Sequence, residues 1–297
     1  MQKFYYGGQA VIEGVMMRGR AQATVVMRKP DGELISRTLE LPSMARATLA
    51  RIPLARGLIV LIEMLVVGTK VMLLSANVQA RNELGAEIPR RLLVIMLAIS
   101  LTFAIGLFFL LPLALARGSG SGHGAIVLEG VLRLAIFIGY LVLIGRLDRM
   151  RRVFEYHGAE HKTINAFEAG APLSPASVQA FSTIHVRCGT AFLLWVAVVS
   201  IFVFALLGHP PLVIGIIERI ALVPVIAAVS YEILRLGARF YWLLPVRAAM
   251  QPGLWLQRLT TREPSDDQVA VAIAALLPVL EADGVFAGSL QAAPSPA

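Results

Sequence analysis

LLVIMLAISLTFAIGLFFLLPLALA, the segment Leu92–Ala116, decides the fold because its 25 residues include no charged side chain. About 20 apolar residues in a helix cross the roughly 30 Å hydrocarbon core of a bilayer. A second uncharged segment, Ala191–Leu207 with the preceding Gly189-Thr190, is nearly long enough to do the same. Ile126–Ile144 and Leu212–Leu234 have similar lengths but carry charges. We therefore predict four membrane-spanning helices arranged as two hairpins.

The composition agrees with a mainly α-helical, polytopic membrane protein. Hydrophobic residues make up 57% of the chain and charged residues only 15%, and the mean hydropathy is strongly positive. These values lie outside the usual range of soluble proteins. The amino-terminal segment contains neither an apolar signal core nor a cleavage site, so we expect no segment to be removed. The lipid bilayer is the partner that the composition predicts.

The placement of basic residues predicts the orientation. Eight of the 27 lysine and arginine residues precede Ile52, whereas the two predicted outer turns contain only Arg117. The positive-inside rule then puts both termini, and the loop that joins the hairpins, on the cytoplasmic side of the membrane. The net charge of +8 is mostly this topology signal, and no aromatic-basic interleaving suggests a nucleic-acid partner. Cys188 is the only cysteine, so no intrachain disulfide is expected, which suits a reducing compartment.

The amino-terminal segment predicts a small β element. Tyr5–Gly19 is apolar and punctuated by glycines, which is typical of a strand or a close-packed loop. Two short β-forming runs flank Pro30-Asp31-Gly32, which is a good hairpin turn. Glu13 is the lone acid of the glycine-punctuated segment. Two roles stay open for it, one at or behind a metal site and the other in a surface salt bridge.

The segment Ile52–Ala76 is apolar except for Arg56, Glu63 and Lys70. Because these three are spaced evenly by seven residues, they share one narrow stripe of a helix. A membrane-spanning helix here would put the basic amino-terminal segment outside, against the charge rule. We therefore expect an interfacial or re-entrant helix whose charged stripe faces lipid headgroups or protein. A buried fifth span is the alternative.

Charged residues also occur within the second and fourth predicted spans. Glu129 and Arg133 are four residues apart and can pair on one helix, and Glu218 and Arg219 lie well inside the fourth span. Charges within a membrane often belong to a transport pathway, but opposite signs on neighbouring helices also allow a structural lock. We favour the lock because the chain has no series of pathway residues, which leaves a small transporter as the alternative.

The loop between the hairpins carries the motif with the clearest chemistry. In Phe154–Lys162, FEYHGAEHK, helical periodicity puts His157, Glu160 and His161 on one face. In a His-x-x-Glu-His motif two imidazoles bind zinc and the glutamate acts as general base. The alternative is an exposed helix whose histidines face water or phosphate groups. Gly158 within this helix indicates the close approach of another backbone or of a substrate.

Three further side chains are candidate ligands. His185 and Cys188 are three residues apart directly before the third span, which is plausible zinc-ligand spacing. The alternative is a packed cysteine and a histidine that caps a helix or contacts a headgroup. Glu232 follows the motif by about 70 residues, which is loosely the spacing of a third ligand in inverted zincins. A juxtamembrane pair with Arg235 explains Glu232 equally well.

Four motifs are similar to those of the YqhQ-like bacterial membrane family. They are Gly7–Gly19, Tyr156–Thr163, His185–Thr190 and Leu259–Pro264. The resemblance extends from about Tyr5 to about Leu280. It implies a bacterial inner-membrane protein of a family without established function, described as predicted metal-dependent enzymes. Members usually have proline and serine where this chain has Val186 and Ala191, which leaves both candidate ligands of that motif in place but excludes a catalytic serine.

Three functions stay open from the sequence. The first is a metal-dependent hydrolase, such as a peptidase, acting on a membrane or peptide substrate. Both histidines of the motif would bind a divalent metal, expected to be zinc, with Glu160 as catalytic base. A third ligand would come from His185, Cys188 or Glu232. The second function is a scaffold or assembly factor, whose structural zinc site is closed by the two histidines with His185 and Cys188. The third is a small transporter.

The predicted organisation has seven parts. They are a cytoplasmic glycine-rich segment with the β-hairpin (1–51), an amphipathic interfacial or re-entrant helix (52–76), the first transmembrane hairpin (77–147), the cytoplasmic metal-site loop (148–188), the second transmembrane hairpin (189–234), a cytoplasmic carboxy-terminal segment with an amphipathic helix (235–286) and a disordered tail (287–297). Trp255 is expected to lie at the membrane interface. Ser265 and Gln268 predict a capping box at the start of the amphipathic helix.

Overall fold

The structure is a computed structural model that describes residues 4–41, 52–118, 123–208 and 211–285. The strands are β1 (Gly7–Val11), β2 (Gly14–Arg18), β3 (Gln22–Arg28) and β4 (Leu34–Glu40). The helices are α1 (Ala55–Leu84), α2 (Arg90–Ile105), α3 (Leu111–Arg117), α4 (His123–Ile144), α5 (Asp148–Glu168), α6 (Pro175–Gln179), α7 (Gly189–Leu207), α8 (Leu212–Arg239), α9 (Leu244–Thr260) and α10 (Asp266–Ala282), and a π-helical turn, Gly106–Leu110, joins α2 to α3. The expected disordered tail, 287–297, and residues 42–51 of the amino-terminal part lie outside the described residues. The mainly α fold with a small β element is confirmed.

The strands form one antiparallel sheet in the order β1-β2-β3-β4. The predicted hairpin at Pro30-Asp31-Gly32 joins β3 to β4, and Gly32 has a left-handed φ of 87°. The glycine-punctuated segment forms a second hairpin, β1–β2, with Glu13 in its turn at a φ of 54°. The β element is therefore larger than predicted. The glycine-punctuated segment, for which the sequence left both a strand and a loop open, forms two paired strands.

The sheet is the middle of three layers, since successive side chains of a strand face opposite sides. On one side Met16 and Val25 pack with Val71 of α1. On the other side Val15 and Val26 belong to a core shared with α5 and α10. The predicted capping box is present at the start of α10. The sheet therefore holds α5, which carries the motif, against β1 and β2.

The remaining long helices form a bundle in which α3 packs on α4, α4 on α7 and α7 on α8. Its core includes Ile126, Phe204 and Ile226. Outward faces are apolar: Ile99 of α2 and Phe202 of α7 are 63% and 68% exposed. The four predicted spans are each long and apolar enough to cross a membrane, and such exposed faces suit lipid.

By the same criterion α1 is a fifth candidate span, so length and composition do not reproduce the predicted count of four. The helix also continues past the predicted end at Ala76, because residues with good helix propensity follow the apolar segment. It reaches Leu84 and is ended by Gly85, whose φ of 70° is left-handed.

The intramembrane charges form a buried cluster. The carboxylate of Glu129 on α4 accepts hydrogen bonds from Arg133 at 2.6 Å and from Arg219 of α8 at 2.5 and 2.9 Å. The ring of Phe204 on α7 is 5.2 and 4.9 Å from the two guanidinium carbons. Glu218 contributes no side-chain hydrogen bond to Glu129, Arg133 or Arg219 in the described part of the chain, where its Oε2 atom is buried without a partner. The contacts join three helices, as a structural lock requires.

Candidate metal centre

The His-x-x-Glu-His motif lies in the middle of α5, which is one continuous helix. His157, Glu160 and His161 share one side of it, and the centroids of the two imidazole rings are 4.4 Å apart. Glu160 and His161 are buried and His157 is partly buried. These side chains therefore face the protein rather than the surrounding water.

Each imidazole is oriented by a backbone carbonyl. The Nδ1 atom of His157 is 2.8 Å from the carbonyl oxygen of Thr260, and Nδ1 of His161 is 2.6 Å from that of Thr183. A carbonyl only accepts hydrogen bonds, so both Nδ1 atoms carry the proton and donate it. The Nε2 atoms then have a free lone pair in the neutral rings, which is the arrangement of histidines that bind metals.

Cys188 brings the third donor atom from the start of α7. Its Sγ atom is 3.4 Å from Nε2 of His157, and the ligand atoms of His157, His161 and Cys188 all lie within 4.8 Å of one another. Cys188 is also the amino-terminal cap of α7, because its sulfur accepts a hydrogen bond from the Thr190 amide at 3.4 Å. The predicted contribution of Cys188 to the group therefore depends on how α7 begins.

The electrostatics of this group favour a thiolate. Burial raises the pKa of the Cys188 thiol, but His157 and His161 outweigh this effect and hold that pKa well below its usual range. Burial lowers the pKa of His157, but Cys188 and Glu160 outweigh it and raise that pKa to about 9. Thiolate sulfur and neutral imidazole nitrogen are ligands that zinc prefers. A divalent cation would replace the imidazolium protons as the charge that balances the thiolate.

Glu160 lies beside both imidazoles. Its Oε2 atom is 3.9 Å from Nε2 of His157 and 3.7 Å from Nε2 of His161. Its other oxygen, Oε1, accepts a hydrogen bond from the Gly8 amide of β1 at 2.9 Å. The sheet therefore holds one carboxylate oxygen and leaves the other facing the two ring nitrogens.

Two glycines allow the backbone to approach the group. A Cβ atom on Gly8 would lie 3.0 Å from Cγ of Glu160 and closer still to the carbonyl oxygen of Met16. A Cβ atom on Gly158 would overlap the carbonyl oxygen of Arg262, so the close approach predicted at Gly158 is made by the segment after α9. Gly8 was not among the predicted site residues, although the glycine-rich composition of its segment indicated close backbone contact.

His185, predicted as a ligand, has its side chain in a different pair. Its Nε2 atom is 3.6 Å from Oε2 of Glu168, and its backbone N–H and C=O are both bound by the Gln257 side chain, each at 2.9 Å. Burial raises the pKa of Glu168, but His185 and Arg187 outweigh it and hold that pKa below its usual range. The loop therefore brings His185 near His161, with ring centroids 5.7 Å apart, without adding it to the three donors.

The other two acidic candidates are engaged elsewhere. Glu232 pairs with Arg56 of α1 and accepts a hydrogen bond from the Leu54 amide at 3.2 Å. Glu13 pairs with Arg152 and accepts a hydrogen bond from the Tyr156 hydroxyl at 3.3 Å. Glu13 therefore has the salt bridge that the sequence left open, whereas the ion-pair partner of Glu232 is Arg56 and not the predicted Arg235. Neither carboxylate joins the group of donors.

Comparisons with known proteins give a family but no activity. The family described as "Protein of unknown function (DUF1385)" matches residues 52–282. The "Uncharacterized protein YqhQ" of Bacillus subtilis (strain 168) is 34% identical over 286 residues, which cover 90% of each chain. No solved structure matches. The resemblance predicted from the four motifs is confirmed.

Proposed function

Because this chain belongs to the YqhQ-like family of unknown function (DUF1385), its activity must be inferred from its site, and we propose a metal-dependent hydrolase at the cytoplasmic face of the inner membrane. The observation that carries the proposal is the convergence of two imidazoles, one thiolate and one separate carboxylate. Catalytic zinc sites use three protein ligands and keep the fourth position open.

His157, His161 and Cys188 would hold the ion, and their donor set favours zinc over calcium or magnesium. The bound ion would supply Lewis acidity, which lowers the pKa of a coordinated water to about 7. Glu160 would accept a proton from water beside the two imidazoles, because its Oε2 faces them while Gly8 holds its Oε1. Thr260 and Thr183 would keep the imidazoles oriented through their carbonyls.

The position of Cys188 supports a substrate at the membrane surface. Cys188 directly precedes α7, which is long and apolar enough to span the bilayer. The site therefore lies close to the point where the chain enters lipid. The excess of basic residues in this loop and in the amino-terminal segment supports the cytoplasmic side. We propose that the substrate is a peptide segment of a membrane protein, or another molecule held at this surface.

A structural zinc site in a scaffold protein is the second candidate, and the short distances from Glu160 favour it. An oxygen 3.7–3.9 Å from two ligand nitrogens needs only a small shift to become the fourth ligand of a closed tetrahedral site. In that case no position would be open for water. A transporter has less support, because the carboxylate of Glu129 already accepts hydrogen bonds from both Arg133 and Arg219.

The substitution Glu160→Gln separates the two candidates. For the hydrolase, the detergent-purified variant should keep the zinc content and melting temperature of the wild type, while cleavage products disappear from the membrane peptides of cells that carry it. Cys188→Ser should lose the metal. Glu155→Gln, on the same helix but outside the group, is the matched control and should leave zinc content, melting temperature and cleavage unchanged. Loss of zinc together with a lower melting temperature in Glu160→Gln would instead establish the closed structural site.

A further inference from the structure

We propose that α1 does not cross the bilayer but lies along its cytoplasmic surface, where it binds anionic lipid through one apolar face and flanking basic residues. Its length and composition alone allow a span. The contacts of its two ends, its two faces and its charges point instead to a surface helix.

The amino-terminal end of α1 lies on the same side of the bundle as the candidate metal centre. Arg56 pairs with Glu232, and a Cβ atom on Gly57 would lie 3.0 Å from the Tyr231 ring, so α1 begins beside the carboxy-terminal part of α8. That part of α8 continues into α9, which packs on α7. A Cβ atom on Gly253 of α9 would lie 3.0 Å from Cβ of Ala191, in the first turn of α7 after Cys188.

The carboxy-terminal end of α1 lies on that side as well. α1 ends at Leu84, and α2 begins shortly afterwards at Arg90. The helix formed by α2 and α3 runs antiparallel to α4, because α3 packs on α4 while the earlier Phe108 contacts Phe137 and Tyr140, towards the carboxy-terminal end of α4. The end of α4 leads within a few residues into α5, so the start of α2 lies at the level of α5, which carries the candidate metal centre. A continuous helix of 30 residues is about 45 Å long and cannot cross a bilayer with both ends on one side.

The two faces of α1 have different partners. Val67 and Val71 are buried against the sheet. At 100° per residue the opposite face carries Ile62, Leu65 and Val66, which are 41%, 60% and 44% exposed. If α1 crossed the bilayer, the sheet packed along it would have to enter lipid with the exposed polar residues of β4. A helix at the interface needs only the exposed apolar face in lipid.

Charge complementarity identifies the occupant of this face as anionic lipid. Lys70 is exposed and lies at the edge of the apolar face by helical periodicity. Arg81 is exposed at the same edge near the end of α1, where Glu87 is its ion-pair partner, and Arg90 and Arg91 follow. Basic residues beside an apolar face bind the negatively charged cytoplasmic leaflet. The face is also continuous with the lipid-facing bundle through the contact of α1 with α8.

The depth of single spin labels in vesicles of phosphatidylcholine and phosphatidylglycerol tests the proposal. Leu58→Cys, Ile62→Cys, Leu65→Cys and Leu73→Cys place labels along the exposed face. A surface helix should give all four the same shallow depth, about 5–10 Å below the headgroups, measured by accessibility to oxygen and to a water-soluble nickel chelate. The parent chain is the blank, because its Cys188 is only 4% exposed. Depths that increase towards the middle of α1 would overturn the proposal, because a spanning helix would give them. Labels shielded from both reagents would also overturn it, because protein would then cover the face. Labels accessible only to the nickel chelate would do so as well, because the face would then lie in water.

The side of the membrane reached by the flanking segments is an independent measurement. Arg37→Cys precedes α1 and Glu87→Cys follows it, and both positions are exposed. A surface helix should leave both thiols reactive with a membrane-impermeant maleimide from the same side of oriented vesicles. Labelling from opposite sides would make α1 a span. Neither measurement depends on hydrolase activity or on bound metal.

Discussion

Gly8 determines where the candidate base points. Its amide donates to Oε1 of Glu160, so the other carboxylate oxygen faces His157 and His161. No side chain fits at this position, because a Cβ atom would overlap the Met16 carbonyl and press on Cγ of Glu160. The site therefore depends on a residue that contributes only its backbone amide, at a position where the absence of a side chain is required.

Gly8→Ala should displace Glu160 and destabilise the sheet by about 1–3 kcal/mol, the usual cost of overpacking a well-packed interior. The measurements are the midpoint of chemical unfolding in detergent and zinc affinity by competition with a chelator. Gly7→Ala is the matched control, because nothing lies within 4 Å of a Cβ atom at position 7. Equal stability of the two variants would contradict the role given to Gly8.

Glu168 predicts a dependence of stability on pH. Its pKa is lower in the folded protein than in the unfolded chain, despite burial, because of His185 and Arg187. The ionised carboxylate therefore contributes stability above the unfolded value of about 4.3, and this contribution is lost as the pH falls through the folded pKa. Glu168→Gln should lower the melting temperature at pH 7, and its difference from the wild type should shrink below about pH 4. A difference independent of pH would show that packing, not charge, explains the effect.

The π-helical turn between α2 and α3 is hydrogen-bonded to the buried cluster of charged residues. A π turn leaves backbone carbonyls outside the regular helical ladder, and the carbonyl of Phe108 accepts a hydrogen bond from Nε of Arg133 at 3.0 Å. Arg133 also donates to the Ser200 hydroxyl at 2.8 Å and to Glu129. One side chain of α4 thereby contacts the π turn and α7, while Glu129 reaches α8.

Glu129→Gln tests whether this cluster is a lock. Removing the carboxylate leaves Arg133 and Arg219 buried without their common counter-charge, so we expect a loss of about 3–5 kcal/mol, measured by thermal or denaturant unfolding in detergent. Glu87→Gln, which breaks an exposed ion pair, should cost less than about 1 kcal/mol. A stable Glu129→Gln protein would remove the structural explanation and favour the transport alternative.

Across the molecule, the features predicted correctly are those set by nearby residues. Helical periodicity put the motif on one face of α5, and the capping box of α10 follows from Ser265 and Gln268. The choice of ligands depends on contacts between distant segments: Glu168 meets His185 because Gln257 of α9 holds the loop backbone. The Gly8 contact crosses 152 positions. Neither contact has a periodic signal, which explains why His185 was expected in the group and Gly8 was not.

The sulfur of Cys188 performs two tasks at once, since it faces the imidazoles and also caps α7 through the Thr190 amide. Serine is a good helix cap but a poor ligand for a soft metal, so serine here would preserve the start of α7 and remove one ligand of the proposed metal site. Histidine would have the opposite effect. A descendant of this protein that lost the proposed metal chemistry but stayed folded would therefore be expected to carry serine here, and that single replacement would mark the change.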